Sequence, residues 1–497
     1  MRTVAVAFLC SAVAALVLTP LVRALARQVG AIDHALTSRK IHGRPVPRLG
    51  GVAIVAAFYA PILGLLVADS ALGRIFYADE ARAMGLIAGG LVIALLGLYD
   101  DVYGSGAGIK FTVQFAVAGL MYWLGFRVDQ IATPLGSIAL GWLGVPFTLF
   151  WIVGVMNAVN LIDGLDGLAG GVALIAVITT FVIAMQGGQA LTMLYMAALA
   201  GALAGFLRYN FNPASIFMGD TGSMFLGFVL ATSSIQTNQK SSTAVAMLIP
   251  IVALGLPIGD TLLSITRRAV RGVPLFHSDR GHIHHRLLAL GLSHRMAVLL
   301  LYALCAVLGA TAVLMTRANG LQTVAFLAGI LVLALLLLTW VGYIKLGSTE
   351  RLLKERKRNL EMRTGIRTIG ERLRTAIGPR EMWEAVKAAA PVLEASCVEL
   401  RIAAQEGPEK TTTSWSTGFD EAGPDLFRAR YSLLGERPDE GMIEFGWTDG
   451  RTLVDRDTEI AIELLCEHVL GAAERIDGAL RRPEVEREDG KVVPFRR

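Results

Sequence analysis

From Val4 to Tyr343 the chain alternates long apolar runs with short polar stretches. Eleven runs stand out: Val4–Leu21, Leu49–Val67, Ala83–Tyr99, Phe111–Phe126, Val145–Val159, Leu168–Met185, Leu191–Leu207, Met224–Ile235, Ala244–Ile265, Met296–Met315 and Leu321–Tyr343. Most are roughly 16 to 23 residues long, near what a helix needs to cross a ~30 Å hydrocarbon core. The eighth is short, and the fifth abuts a polar motif. The pattern predicts an all-α polytopic membrane protein with about 11 transmembrane helices over residues 1–345. The first run reads as a span and not a signal peptide, because it lacks a small-residue cleavage site and many spans follow it.

After residue 345 the pattern changes. Residues 346–380 read as a charged helical linker with Leu352, Leu353 and Leu360 among Glu350, Arg351, Lys354 and Arg358. Residues 381–480 mix periods. Glu381–Glu394 and Asp455–Ile476 are helical in pattern, while Val398–Ala404, Leu426–Leu434 and Met442–Trp447 alternate as strands do. This predicts a C-terminal cytoplasmic α+β domain with a weak likeness to a GAF-type sensory domain. No catalytic constellation lies in it, so ligand sensing and docking or oligomerisation stay open, with a homodimer as one expectation. Residues 481–497 are charged and contain Pro494, a disordered composition.

Composition sharpens the membrane reading. The chain is 54% hydrophobic, and its mean hydropathy is +0.55. Its four cysteines are scattered and form neither metal spacing nor a disulfide framework. The net charge of +5 gives no reason to expect nucleic acid, because membrane loops account for much of it. With the N-terminus outside, fourteen Lys and Arg fall in inside loops and five in outside loops. The positive-inside rule then places the post-membrane tail in the cytoplasm.

Four polar motifs interrupt the apolar pattern, and this topology puts all of them on the cytoplasmic side. Intramembrane or membrane-edge carboxylates and histidines are functional candidates, because lipid tolerates them poorly. Asp100 and Asp101 end the third run; two adjacent carboxylates suit a cation or a phosphate proton. Lys110 and Gln114 enter the next run, where a cation meets phosphate. Asn157, Asn160, Asp163 and Asp166 recur every third residue, which on a helix lines one wall with oxygen groups. Gly164 and Gly167 beside them serve a close backbone approach or a left-handed turn. Phe217-Met218-Gly219-Asp220 precedes the eighth run, with Thr221 or Ser223 as a helix cap, small residues whose amides suit an anion, Asp220 as a metal ligand and Phe217 as a ring for a base. The loop before the tenth run holds His282, His284 and His285 with Arg280 and Arg286. Interleaved arginines favour phosphate or sugar recognition over zinc.

These motifs, in this order, resemble the polyprenyl-phosphate N-acetylhexosamine-1-phosphate transferase family, in its bacterial GlcNAc-type branch. The resemblance covers about residues 1–345 and includes the stretch Arg39–Gly51, with Lys40, which is similar to the family's first cytoplasmic loop. It implies Asp100 and Asp101 beside metal and lipid phosphate in the catalytic role, and Asn160 and Asp220 as ligands of Mg²⁺, with Mn²⁺ an alternative. It further implies substrate binding by Lys40, Lys110, Asn157, Asp163, Asp166, Phe217, Arg280, His282, His284 and His285. The implied reaction joins UDP-N-acetylhexosamine to undecaprenyl phosphate at the bilayer and releases UMP, as a first membrane step of cell-surface polysaccharide synthesis. Two rival readings fit less well. A CDP-alcohol phosphotransferase wants Ala-Arg after Asp163-Gly164, where this chain has Leu168-Ala169-Gly170-Gly171. A transporter wants polar groups deep in the spans.

Overall fold

The apolar runs fold as helices, the one open-ended structure that satisfies every backbone group inside a bilayer. The computed structural model describes residues 1–33, 45–67, 80–133, 136–239, 248–271, 281–343, 349–406, 409–419, 426–433 and 441–480. The chain divides into two compact units. One comprises Met1–Ile265 and Ser278–Lys345, the other Thr266–His277 and Leu346–Arg497.

The first unit contains α1 (Arg2–Val29), α2 (Gly50–Val67), α3 (Glu80–Tyr103), α4 (Ala107–Trp123), α5 (Gly144–Leu161), α6 (Leu168–Gln186), α7 (Ala190–Asn210) and α8 (Gly219–Gln239). After these come α9 (Leu248–Ala253), α10 (Gly255–Arg271, which runs past the boundary at Ile265), α11 (Ile283–Ala289), α12 (His294–Met315) and α13 (Gly320–Trp340). Two short hairpins pair β1 (Ile32–Asp33) with β2 (Val46–Pro47) and β3 (Gln130–Thr133) with β4 (Gly136–Ala139).

Among the described residues, seven helices are long and apolar enough to cross a membrane: α1, α3, Gly141–Leu161, α6, α7, α12 and α13. The chain is therefore a mostly helical, polytopic membrane protein. This count leaves the eleven expected unconfirmed, and two of the remaining runs show why. The ninth run is broken at Leu254 into α9 and α10. The eighth run belongs to α8, which packs on α2, α3, α5, α6 and α7. Every residue from Thr221 to Thr237 is buried there. Thr232, Ser233, Ser234 and Gln236 are tolerated because the helix meets protein and not lipid. At the other extreme, the span of α13 is only 6% buried and is the most apolar of the seven.

The second unit is built on α14 (Thr349–Thr375), α15 (Pro379–Lys387), α16 (Ala389–Val392) and α17 (Arg456–Leu480), with a four-stranded antiparallel sheet. Its strands, β5 (Cys397–Glu406), β6 (Glu409–Thr417), β7 (Phe427–Ser432) and β8 (Gly441–Trp447), lie in the order β6-β5-β8-β7. The expected α+β mixture is present. Strand β6 was not anticipated, because its Thr411-Thr412-Thr413-Ser414 run lacks the apolar alternation that marks a half-buried strand. The core joins Ile366, Leu373, Val386, Leu400, Phe445, Trp447 and Leu465. Trp447 donates its indole N–H to the Leu393 carbonyl at 3.1 Å, satisfying the one polar atom of a fully buried ring.

Candidate active site

The start of α8 is held by a carboxylate from another helix. Asp101, buried at the end of α3, accepts the Asp220 N–H on Oδ1 at 2.9 Å. Its Oδ2 accepts the Thr221 N–H at 3.0 Å and the Thr221 hydroxyl at 2.6 Å. A helix leaves its first N–H groups unpaired, and an anion there is favourable. The expected cap from Thr221 or Ser223 is thus replaced by Asp101, and Thr221 donates instead of accepting. These two amides are consequently spent on Asp101 and do not face a substrate anion. Gly219 makes the approach possible: its φ is +67°, and a Cβ there would stand 2.5 Å from Asp101 Oδ2.

Beside this cap, Lys110 Nζ lies 2.8 Å from Asp100 Oδ2 and 2.6 Å from Asp220 Oδ2. One ammonium therefore joins the carboxylates of two motifs 120 residues apart in sequence. Asp100 Oδ1 accepts from the Ser105 N–H at 2.8 Å and the Ser105 hydroxyl at 2.6 Å. Gln114, expected near phosphate, is buried instead. It accepts from Asn157 Nδ2 at 2.7 Å and turns its own amide to Met224 Sδ.

The asparagine–aspartate series is only half helical. α5 ends at Leu161, so Asn157 and Asn160 share a helix while Asp163 and Asp166 sit in the turn before α6. Asn160 Nδ2 donates to Ser223 Oγ at 2.9 Å, fastening α5 to α8. Asp166 Oδ2 accepts from Asn212 Nδ2 and the Ala214 N–H, both at 2.9 Å, and so ties down the loop before α8. Burial raises the Asp163 carboxyl to about 8, with the charges of Asp220, Asp101 and Asp166 pushing the same way. The two glycines divide the expected roles. Gly167 is left-handed at φ +77° as the residue before α6, and Gly164 is the site of close approach.

That approach is made by the histidine loop. A Cβ on Gly164 would stand 3.0 Å from His284 Cε1 and closer still to Nε2. His284 is buried, and among the described residues neither ring nitrogen has a hydrogen-bond partner. Burial, with His285 pushing the same way and the Asp260 carboxylate opposing, lowers its pKa to about 3 and keeps the ring neutral. His282 stacks on His284 at 5.7 Å between centroids with 8° between planes, and His285 lies against it at 4.3 Å. Arg286 sits over the Tyr343 ring at 3.9 Å, and Tyr343 donates to the Gly281 carbonyl, so this arginine anchors the loop.

Phe217 is partly exposed on a stretch paired through backbone with residues 47–51: its N–H donates to the Pro47 carbonyl at 2.8 Å and its carbonyl accepts from Gly50 at 2.9 Å. Lys40 and Arg280 lie outside the described residues, as does the stretch 34–44. Asp260 was missed. Buried in α10, it bonds His282 and the Ile283 N–H. The available signal was a carboxylate inside an apolar run, at Pro257-Ile258-Gly259-Asp260.

Two comparisons bear on this arrangement. Residues 83–238 match the family model described as Glycosyl transferase family 4. The chain is also 38% identical over 321 residues, 64% of its own length and 87% of the relative's, to a probable undecaprenyl-phosphate N-acetylglucosaminyl 1-phosphate transferase of Bacillus subtilis (strain 168). It belongs to the polyprenyl-phosphate N-acetylglucosamine-1-phosphate transferase family. Other members similar to it include a decaprenyl-phosphate N-acetylglucosaminephosphotransferase of Mycolicibacterium smegmatis, 34% identical over 61% of this chain and 79% of that one. An undecaprenyl-phosphate alpha-N-acetylglucosaminyl 1-phosphate transferase of Escherichia coli (strain K12) is 27% identical over 59% of this chain and 78% of its own. The family model spans the Asp100, Asp163 and Asp220 motifs; the histidine loop lies beyond it.

Proposed function

We propose that this protein transfers N-acetylglucosamine 1-phosphate from UDP-N-acetylglucosamine to undecaprenyl phosphate and releases UMP. It would do so from eleven crossings, at the cytoplasmic face of a bacterial inner membrane, as a first step of surface-polymer synthesis. The observation that carries this is the juxtaposition of Asp100, Lys110, Asp220 and Asp163 with His284 across Gly164. One wall suits cationic phosphate chemistry, the other a sugar.

The donor set fits Mg²⁺. Asn160, Asp163 and Asp220 offer hard oxygens, and the carboxylate crowding that adds to burial in raising Asp163 is the kind a divalent cation relieves. Among the described residues no three His, Cys, Asp or Glu side chains converge as a ready cage, so substrate phosphate and water would have to complete the shell. Asn160 and Asp220 would hold the ion. When bound, Mg²⁺ screens the diphosphate and stabilises the leaving UMP.

The chain's own residues do the rest. Lys110 brings positive charge to the entry of α4, where the lipid phosphate meets the diphosphate. Asp101 fixes the start of α8 and thereby aims Asp220. Donors fill both Asp101 oxygens, and Ser105 and Lys110 fill those of Asp100, so either carboxylate would have to give up one of these contacts to act as a base. A phosphate near neutral pH is largely ionised, and the direct attack of its oxygen on the sugar-linked phosphorus needs little help. Neutral His284 keeps a dry, uncharged surface beside the turn.

The test is UMP exchange. Purified protein with undecaprenyl phosphate, Mg²⁺ and a panel of UDP-sugars should release UMP, with UDP-N-acetylglucosamine preferred, and should exchange labelled UMP back into it. One anhydride replaces another, so the equilibrium constant lies within a few tenfold steps of one, each ~1.4 kcal/mol. No UMP release from any UDP-sugar sinks the proposal. Exchange in rigorously delipidated enzyme would instead leave the activity and change the mechanism to a covalent one.

A further inference from the structure

Asp260 belongs to none of the four motifs, yet both its carboxylate oxygens are spent on the histidine loop. Oδ2 lies 2.8 Å from His282 Nδ1, and Oδ1 accepts the Ile283 N–H at 2.9 Å. Asp260 is 3% exposed and His282 5% exposed, so water does not compete for either contact. An ionised carboxylate can only accept, so the ring proton must sit on Nδ1. In the neutral ring Nε2 is then a lone pair, and it carries no hydrogen bond among the described residues.

The second contact acts on the backbone. Ile283 is the first residue of α11, and His282 at its N-cap makes no side-chain cap bond. Asp260 satisfies one of the helix's orphan N–H groups in its place. One carboxylate therefore sets the tautomer of His282 and the start of the helix that carries His284 and His285. The stack of His282 on His284, and of His284 on Gly164, continues this line to the acidic turn.

We propose that Asp260 is a positioning residue for the transfer reaction, holding His282 as the Nδ1–H tautomer so that Nε2 accepts a hydrogen bond from a hydroxyl or amide N–H of the N-acetylhexosamine. This rests on the reading that the histidine loop receives the UDP-sugar. Asp260 itself touches no substrate. The tautomer also gives selectivity: a lone pair at Nε2 welcomes a donor and repels a phosphate oxygen.

The experiment uses the full chain in detergent, labelled with ¹⁵N-histidine, together with Asp260→Asn. The variant keeps an oxygen for the Ile283 N–H, but its amide donates to Nδ1 and drives the proton to Nε2. The wild-type His282 spectrum should show an Nδ1–H, Nε2-lone-pair ring, and the variant the reverse. The kcat/KM for UDP-N-acetylglucosamine should fall roughly ten- to hundredfold, the loss of one strong hydrogen bond, with KM for undecaprenyl phosphate within about twofold. Asp260→Asn placed in His282→Ala should cost nothing further. A swapped tautomer with kcat/KM within about twofold of wild type would reduce Asp260 to a structural strut and overturn the proposal. If the variant does not purify, the wild-type spectrum decides alone: an Nε2–H ring, or a doubly protonated one, overturns it. Absence of UMP release by the wild type would instead remove the functional reading, an outcome the spectrum does not share.

Discussion

Gly164 and His284 are in contact: the backbone of the acidic turn meets the imidazole of the histidine loop where no Cβ would fit. Gly164→Ala must push His284, or α11 with it, away from the turn. We expect a loss of at least about tenfold in kcat/KM, since small misplacements near reacting groups are costly, with little change in unfolding temperature. The double-mutant cycle gives the mechanism. Gly164→Ala added to His284→Ala should cost much less than Gly164→Ala alone, because the clash is then gone. Additive losses would show that the two residues do not meet.

Asp101 and Asp100 are neighbours with different work, and stability separates them. Asp101→Ala leaves the Asp220 and Thr221 N–H groups without an acceptor in a buried site. That costs about 1–3 kcal/mol and should lower the detergent unfolding temperature by several degrees. Asp100→Ala should change it far less, because Lys110 keeps its contact with Asp220. Both variants should lose activity. Equal thermal effects would contradict the capping role.

Lys110 shares its charge between Asp100 and Asp220. Lys110→Gln should weaken use of undecaprenyl phosphate by about tenfold or more, because a charge-assisted contact is lost. It should also lower the Mg²⁺ concentration for half-saturation, because a competing cation has left Asp220. A higher Mg²⁺ requirement would place Lys110 on the substrate alone.

Much of this arrangement was legible from residue order. The carboxylates, asparagines and histidines stand out because lipid-facing sequence excludes them. Two things were hidden. One is partner choice: the Asp101 cap, the Lys110 bridge and the Asp260–His282 pair each join positions at least nine residues apart, and no local spacing encodes them. The other is what surrounds a helix. α8 carries Thr232, Ser233, Ser234 and Gln236, so its apolar run looked short, yet it is the most enclosed helix of its unit. Hydropathy measures fitness for lipid, and a helix wrapped in protein is free of that demand. The opposite case is Asp260, visible as a carboxylate in an apolar run but unmarked by any motif.

Asp163 gives a pH dependence. Its folded pKa of about 8 lies above the usual carboxylate value. The protonated form is therefore favoured in the metal-free fold, and its contribution to stability, full below the unfolded pKa near 4, is lost as pH rises through about 8. A cation bound beside it must displace that proton. Mg²⁺ affinity measured by calorimetry should rise from pH 6 to about 8 with proton release, then level off. Asp163→Asn should abolish the proton release. A wild-type affinity flat across this range would mean that Asp163 is already ionised.

The proposed transfer moves the whole phospho-sugar, and not the sugar alone. UDP-N-acetylglucosamine labelled at its sugar-linked phosphorus, incubated with the full-length protein, undecaprenyl phosphate and Mg²⁺, tests this in one measurement. Label should appear in the lipid product and unlabelled UMP in solution, and neither should form with Asp220→Asn. Label recovered in released UDP, with an unlabelled glycolipid, would contradict it.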